Sequence, residues 1–293
     1  MFKFKSMTSV KLADFISRLF RRPSNQCPAL PFAMAQDHMT RLWWMSGLFL
    51  LAVLIILIPA YYFDPRLLNG DPIWAKPIKF SLSLAIHFFT LALLAQQLER
   101  KRRTGILLTL FGYAAVASML LEQIYISIQA ARGRQSHFNL ETAFESSMYG
   151  LMGVAAVLLV LVSLILGLMI WRQDKSKRSA QGLFLGSVIG LVAGSILTFL
   201  LAGYMSMGTS HLIGETVNDA NGVPLLGWSR TAGDLRIPHF IATHLMQILP
   251  LIGWFCDRYQ LPPKRVVLIS SFILISICAA TFFIALSGRP LFS

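Results

Sequence analysis

The stretch GILLTLFGYAAVASMLLEQIYISI, residues 105–128, decides the fold. Its 24 residues carry one charge, Glu122. At 1.5 Å of rise per residue such a run reaches about 36 Å as a helix, enough to cross about 30 Å of hydrocarbon. Six comparable runs flank it: Leu42–Ala60, Phe80–Leu98, Ser147–Trp171, Gly182–Tyr204, Phe240–Phe255 and Val266–Leu286. The sixth in chain order, Phe240–Phe255, is the shortest and crosses only by drawing in its flanks. One such run can be a buried core helix of a soluble protein, but seven in series cannot. The chain is 55% hydrophobic, with a mean hydropathy of +0.63. The expected architecture is an all-α, seven-span transmembrane bundle. Residues 1–41 read as a basic amphipathic tail and linker, 42–288 as a single membrane domain, and 289–293 as a short external tail. The first run follows 41 residues and no small-residue cleavage pattern ends it, so a retained span is expected rather than a removable leader.

The net charge of +13 resembles a nucleic-acid signature until its distribution is read. Eighteen of the 26 basic residues fall in the leading tail and in the turns after the second, fourth and sixth runs, including Arg100-Lys101-Arg102-Arg103. Those segments share one side of a seven-span chain. The positive-inside rule makes that side cytoplasmic, with the amino terminus inside and the carboxyl terminus outside; Arg289 mildly opposes this ending. The other eight basic and eight acidic residues cancel. The excess is therefore a topology signal and an attraction to anionic lipid. Membrane lipids are the expected partners, nucleic acid is not, and a bacterial inner membrane is the expected location. Ser9–Arg22 carries Leu12, Phe15, Ile16, Leu19 and Phe20 at near-helical spacing and can lie along the inner leaflet. Pro23, Pro28 and Pro31 mark a linker. Cys27, Cys256 and Cys278 fall outside the external loops, so no external disulfide framework is expected.

Gly182, Gly186, Gly190 and Gly194 recur every four residues and share one helix face. Such a stripe lets a neighbouring helix approach closely, which makes packing its expected role.

The polar residues within the spans gather toward the outer side. Along the second span Ser83, His87 and Thr90 share a face inward from Lys76, and His87 lies about 12 Å below Lys79 on an ideal helix. Along the third, Ser118, Glu122, Tyr125 and Gln129 form a stripe with Gln123 beside it. A carboxylate facing lipid is costly, so Glu122 should face the bundle interior, where intramembrane acids mark proton relays and substrate paths; the bland reading is a helix-packing acid. Glu122, Gln123 and Tyr125 are the candidate catalytic set. Past Arg132 and Arg134, Asn139 or Thr142 is placed to cap the fourth span. The outer loop over residues 205–238 is long for a passive turn; it can dip into the membrane or form a short surface helix. Beyond it His244 and Gln247 share a face.

His87, His211, His239 and His244 reach the outer half from different segments. Neutral imidazoles ligate haem iron or a transition metal. His87 and His244 are the first axial pair for a haem b, His211 and His239 the alternatives, and Arg132, Arg134, Arg230 or Arg236 can pair with its propionates. Copper is a second metal reading through Met205, Met207 and His211, although thioethers in apolar spans are more often packing groups. The leading functional expectation is an integral-membrane oxidoreductase or electron-transfer protein using haem b, with quinol or another lipid-soluble substrate positioned by Glu122 and Gln123. A proton-coupled transporter for a small solute or metal would use the same stripes, but polar residues thin out in the inner half. A metal-dependent hydrolase or group-transfer enzyme would draw on His211, Glu215, Asp234 and His239, supported by Asn218 and Asp219. A purely structural or receptor role needs none of this chemistry.

Overall fold

The computed structural model describes residues 37–174, 176, 178, 180–214, 222–224 and 226–292. The amphipathic Ser9–Arg22 segment, its proline linker, Cys27, Glu215, Asn218 and Asp219 lie outside the described residues. Among the described residues, seven helices are long and apolar enough to span a membrane: α1 (His38–Phe63), α2 (Ala75–Ala95), α3 (Ile106–Ala131), α4 (Ala143–Trp171), α5 (Gln181–Ser206), α6 (Arg236–Arg258) and α7 (Pro263–Leu286). The protein is an all-α integral membrane bundle, with two short ribbons and a single helical turn at Arg100–Arg103 as its other described elements.

Several helices begin before their apolar runs because polar residues close the first turn. Asp37 caps α1 and accepts from the Thr40 amide at 3.0 Å and from the Thr40 hydroxyl at 3.1 Å, satisfying an amide the helix leaves orphaned. The Arg103 guanidinium donates to the same carboxylate at 2.7 Å. Burial opposes ionisation of Asp37, but the hydrogen bonds from Thr40 and the Arg103 charge outweigh it and hold the carboxyl below the usual range. In α6 the helix takes in Arg236, Ile237, Pro238 and His239 ahead of the short apolar run, which brings it to 23 residues.

The most extensive helix contact is between α5 and α6, and the glycine stripe is its cause. A methyl group added at Gly190 would sit 2.6 Å from the Leu245 carbonyl oxygen, and one at Gly194 3.1 Å from that of Ala242. At Gly186 and Gly182 it would collide with the carbonyls of Leu249 and Gly253. Backbone thus lies directly on backbone along the whole seam. At its end the Asp257 carboxylate accepts from the amides of Gly182 at 2.8 Å and Leu183 at 2.7 Å, placing a negative group on the positive first turn of α5.

Cross-links gather the chain into two distinct ends. At the basic end, Gln173 donates to the Gln97 carbonyl at 2.8 Å and Gln97 to the Ser187 hydroxyl at 2.7 Å. At the other end, Arg66 donates to the Ala131 carbonyl at 3.0 Å and the Trp74 indole to Asp64 at 2.9 Å. Arg66 and Trp74 together hold the Asp64 carboxyl well below the usual range. The α1–α2 connection at this end is a small hairpin, Leu67–Leu68 against Asp71–Pro72. Asn69 and Gly70 turn it with φ of 54° and 85°, the positive pair a two-residue hairpin needs. Where it is described, the long loop before α6 forms a ribbon rather than the expected surface helix: Leu212–Ile213 pairs antiparallel with Gly233–Asp234. Between the ends Trp43, Leu50, Phe88, Leu91, Leu108 and Leu166 are fully buried, while Ile55, Ile56 and Phe272 are exposed toward lipid.

The glycine seam predicts a sharp contrast. Gly186→Ala drives a methyl group into a backbone carbonyl and should cost about 1–3 kcal/mol. Gly203 has open space around it, so Gly203→Ala should be neutral or stabilising. Thermal denaturation in detergent measures both, and equal stability of the two variants would refute the seam as described.

Candidate functional site

The stripe on α3 turns inward as its spacing demands. Ser118, Glu122, Tyr125 and Gln129 are all buried, with Glu122 at 1% exposure. Neither carboxylate oxygen of Glu122 has a hydrogen-bond partner among the described residues, and the same holds for Gln123 Oε1. The amide nitrogen of Gln123 lies 3.4 Å from the Pro77 carbonyl and 3.3 Å from the Ser127 hydroxyl. The Pro77 contact sets α3 against the first turn of α2. Lys76, on that turn, is the charge that reaches Glu122.

Lys76 also defines the rest of this cluster. Its Nζ lies 3.0 Å from His137 Nδ1 and 5.8 Å from the centre of the Phe80 ring. An ammonium group only donates, so His137 Nδ1 accepts and the ring carries its proton on Nε2. The His137 ring packs on Phe80 at 5.8 Å and on Tyr149 at 6.1 Å. Phe138 continues the wall, 5.4 Å from Tyr149 and 6.4 Å from His211. Burial, then the nearby Lys76 and His211, push the His137 pKa well below its ordinary value. The result is a buried acid whose carboxylate oxygens have no hydrogen-bond partner among the described residues, and an aromatic wall around Lys76 and His137.

The loop carrying His137 is held by an acid that its sequence position does not advertise. Arg134 donates to Glu145 at 2.6 Å, and Arg132 donates to Gln129 Oε1 at 2.9 Å with a second nitrogen 3.8 Å from Glu145. Thr142 caps α4: its hydroxyl accepts from the Glu145 amide at 3.2 Å and donates to Glu145 Oε2 at 2.9 Å. The signal for this role is Thr142 followed three residues later by a glutamate, the spacing of a capping box. Gln129 donates to the Tyr125 hydroxyl at 3.2 Å and to the Gln135 carbonyl at 3.1 Å. Tyr125, Arg132 and Arg134 therefore position the loop.

The deeper histidines form a separate cluster. His87 Nε2 lies 3.0 Å from the Leu159 carbonyl of α4; a carbonyl only accepts, so that nitrogen carries the proton. His244 Nδ1 lies 3.2 Å from Gln247 Oε1, and Gln247 donates to the Thr90 hydroxyl of α2 at 3.3 Å. His244 is close enough to interact electrostatically with both His87 and His239. His239 Nδ1 is buried without a hydrogen-bond partner among the described residues. The face read for α2 holds for His87 and Thr90, whereas Ser83 is exposed.

The site is thus divided. Gln123 meets Pro77, and His87 lies ten residues further along α2, about 15 Å on an ideal helix. Leu84 and Ala85, both buried, lie on α2 between these levels. His211 sits at the rim with the Glu122 cluster. Arg236 grips Asp234, its Nε at 2.9 Å and Nη2 at 2.7 Å, and donates to the Gly227 carbonyl at 2.7 Å. Asp234 further accepts from the amides of Ser229 and Arg236, each at 2.9 Å. Its oxygens are occupied in ordering the loop. Arg230 and Met207 are exposed. Among the described residues no group of three or more His, Cys, Asp or Glu side chains is arranged to hold a metal ion. No family model, curated protein or solved structure matches the chain.

The depressed His137 pKa predicts a pH dependence. Below about pH 6.5 the unfolded chain binds a proton that folded His137 refuses. The histidine's contribution is therefore complete above that pH and is lost as pH falls, by no more than about 1.4 kcal/mol per unit. Melting curves between pH 8 and 5 should show this decline in the native protein and a shallower one in His137→Gln. Identical slopes would contradict it.

Proposed function

We propose that the chain is an integral-membrane oxidoreductase or electron-transfer protein, seated in a bacterial inner membrane with the Glu122 end outward, and that a lipid-soluble quinol binds at that end. The observation that carries this reading is the pair of buried oxygens on Glu122 that have no hydrogen-bond partner among the described residues. Acceptors left so cost stability until a donor arrives. A quinol hydroxyl is such a donor. Its ring fits the wall of Phe80, Phe138 and Tyr149, and Lys76 is placed to stabilise the anion left as the proton passes to Glu122.

The tight interior supports a site over a path. Phe88, Leu91 and Leu108 are fully buried and offer no polar lining toward the basic end. The electron acceptor in this reading is haem b. Gln247 holds His244 Nδ1 and leaves Nε2 free as a ligand, the usual way an outer partner orients an imidazole. His87 can join through Nδ1, since its other nitrogen serves Leu159. Two imidazoles suffice for haem, whereas copper or another transition metal would need ligands beyond them.

Protein isolated from membranes should show a Soret band that His244→Ala abolishes. Glu122→Gln should retain the band and slow haem reduction by quinol at least about 100-fold. A protein without haem or bound transition metal, or a Glu122→Gln variant reduced at the native rate, would overturn the proposal.

A further inference from the structure

The strongest unassigned chemistry lies at the opposite, basic end. Arg103 there is neutralised by Asp37. Arg102, Arg172 and Arg178 are not: no ion pair joins any of them to a carboxylate among the described residues. Two of these guanidinium groups are nevertheless fixed in place. Arg102 donates to the Arg172 carbonyl at 3.2 Å and approaches that of Met169 at 3.5 Å. Arg178 donates to the carbonyls of Gln173 at 3.1 Å and Trp171 at 3.2 Å. Its guanidinium carbon also lies 4.4 Å from the centre of the Phe184 ring of α5.

All four carbonyls belong to the last turn of α4 and the two residues after it. The negative end of the helix explains why cations converge there, but that end amounts to only about half an elementary charge. Arg102 and Arg178 bring two full positive charges to it, and Arg172, the residue that ends α4, adds a third. A guanidinium also has five N–H donors in a planar fork, and the carbonyls engage only part of those on Arg102 and Arg178. What remains is a preordered set of donors with excess positive charge, matched to a phosphate.

The surroundings identify where that phosphate comes from. Trp171 is 55% exposed beside the arginines, and the α3 side chains leading away from Arg102 are apolar and exposed, with Ile106 at 83% and Leu110 at 62%. Exposed Trp next to basic groups at the end of a span is the setting of the membrane interface. A free phosphate would use the arginines alone. A phospholipid would use both the arginines and the apolar flank.

We propose that Arg102, Arg172 and Arg178, gathered at the junction of α3, α4 and α5, bind the phosphate headgroup of an anionic phospholipid whose acyl chains lie along the exposed face of α3. The site is independent of the redox reading. A zwitterionic lipid fits less well, because its own ammonium group meets three like charges.

The test compares phosphatidylglycerol, phosphatidylcholine and inorganic phosphate added to the purified full chain in detergent, with melting temperature and native mass spectrometry as readouts. Phosphatidylglycerol should raise the melting temperature most and remain bound. The gain should fall by at least half in Arg102→Gln/Arg172→Gln/Arg178→Gln. It should persist in Arg258→Gln/Lys264→Gln/Arg265→Gln, which removes equal charge from the same end. If the first triple variant does not fold, Arg172→Gln is the measurement: that guanidinium makes no hydrogen bond among the described residues, and its loss should weaken phosphatidylglycerol binding at least twofold. Equal gains from phosphatidylcholine, equal loss in both triple variants, unchanged binding in Arg172→Gln, or full reproduction of the effect by inorganic phosphate would each overturn the site.

Discussion

In hydrocarbon a polar atom without a partner has no water to turn to, and this constraint shapes the molecule at every level. It forces the backbone into helices. It also governs their ends, where orphaned amides need acceptors: Asp37 supplies one to α1, Thr142 to α4 and Asp257 two to α5. Each of these groups then makes a second connection. Asp37 draws in Arg103, Thr142 draws in Glu145, and Asp257 joins α6 to α5. Capping and tertiary assembly are the same set of bonds.

The α5–α6 seam follows from a related argument. Apolar side chains gain little by leaving lipid for each other, so close association needs van der Waals contact between surfaces that fit. Four glycines at intervals of four residues remove every side chain from one face of α5, and the carbonyl ridge of α6 occupies the space. With α5 and α6 locked, α6 carries His239, His244 and Gln247 at fixed heights, and Gln247 can reach Thr90 across the bundle. The deep histidine cluster thus depends on the absence of side chains elsewhere.

Much of this architecture was legible in the sequence because hydrophobic runs and helical spacing are local properties. The seven spans, the inward stripe of Ser118, Glu122, Tyr125 and Gln129, the glycine seam and the His244–Gln247 pair all depend on residues near one another in the chain. Helix starts were less legible, since His38, Thr40 and Arg41 break the apolar pattern although Asp37 caps them into the helix. Asn69-Gly70 and Thr142…Glu145 were local signals that the span pattern overshadowed. What could not be read was pairing across long separations. Nothing near His87 announces a bond to Leu159, and nothing near Arg134 shows whether it waits for an anion or holds Glu145. The meeting of Gln123 with Pro77, ten residues and about 15 Å along α2 from His87, was equally hidden, because it depends on how α3 packs against α2.

The contrast between two buried glutamates is the most informative result of that packing. Glu145 and Glu122 are equally inaccessible, at 2% and 1% exposure. Glu145 accepts from Arg134 and Thr142 and donates its own amide to Thr142, so its burial is explained by the loop it organises. Glu122 organises nothing: its oxygens have no hydrogen-bond partner among the described residues, and Lys76, the charge that reaches it, contacts His137. If Glu122 served packing alone, an apolar residue of the same size would serve better, since it would carry no unmet acceptors. In the proposed reading, a quinol hydroxyl is the donor that these oxygens lack.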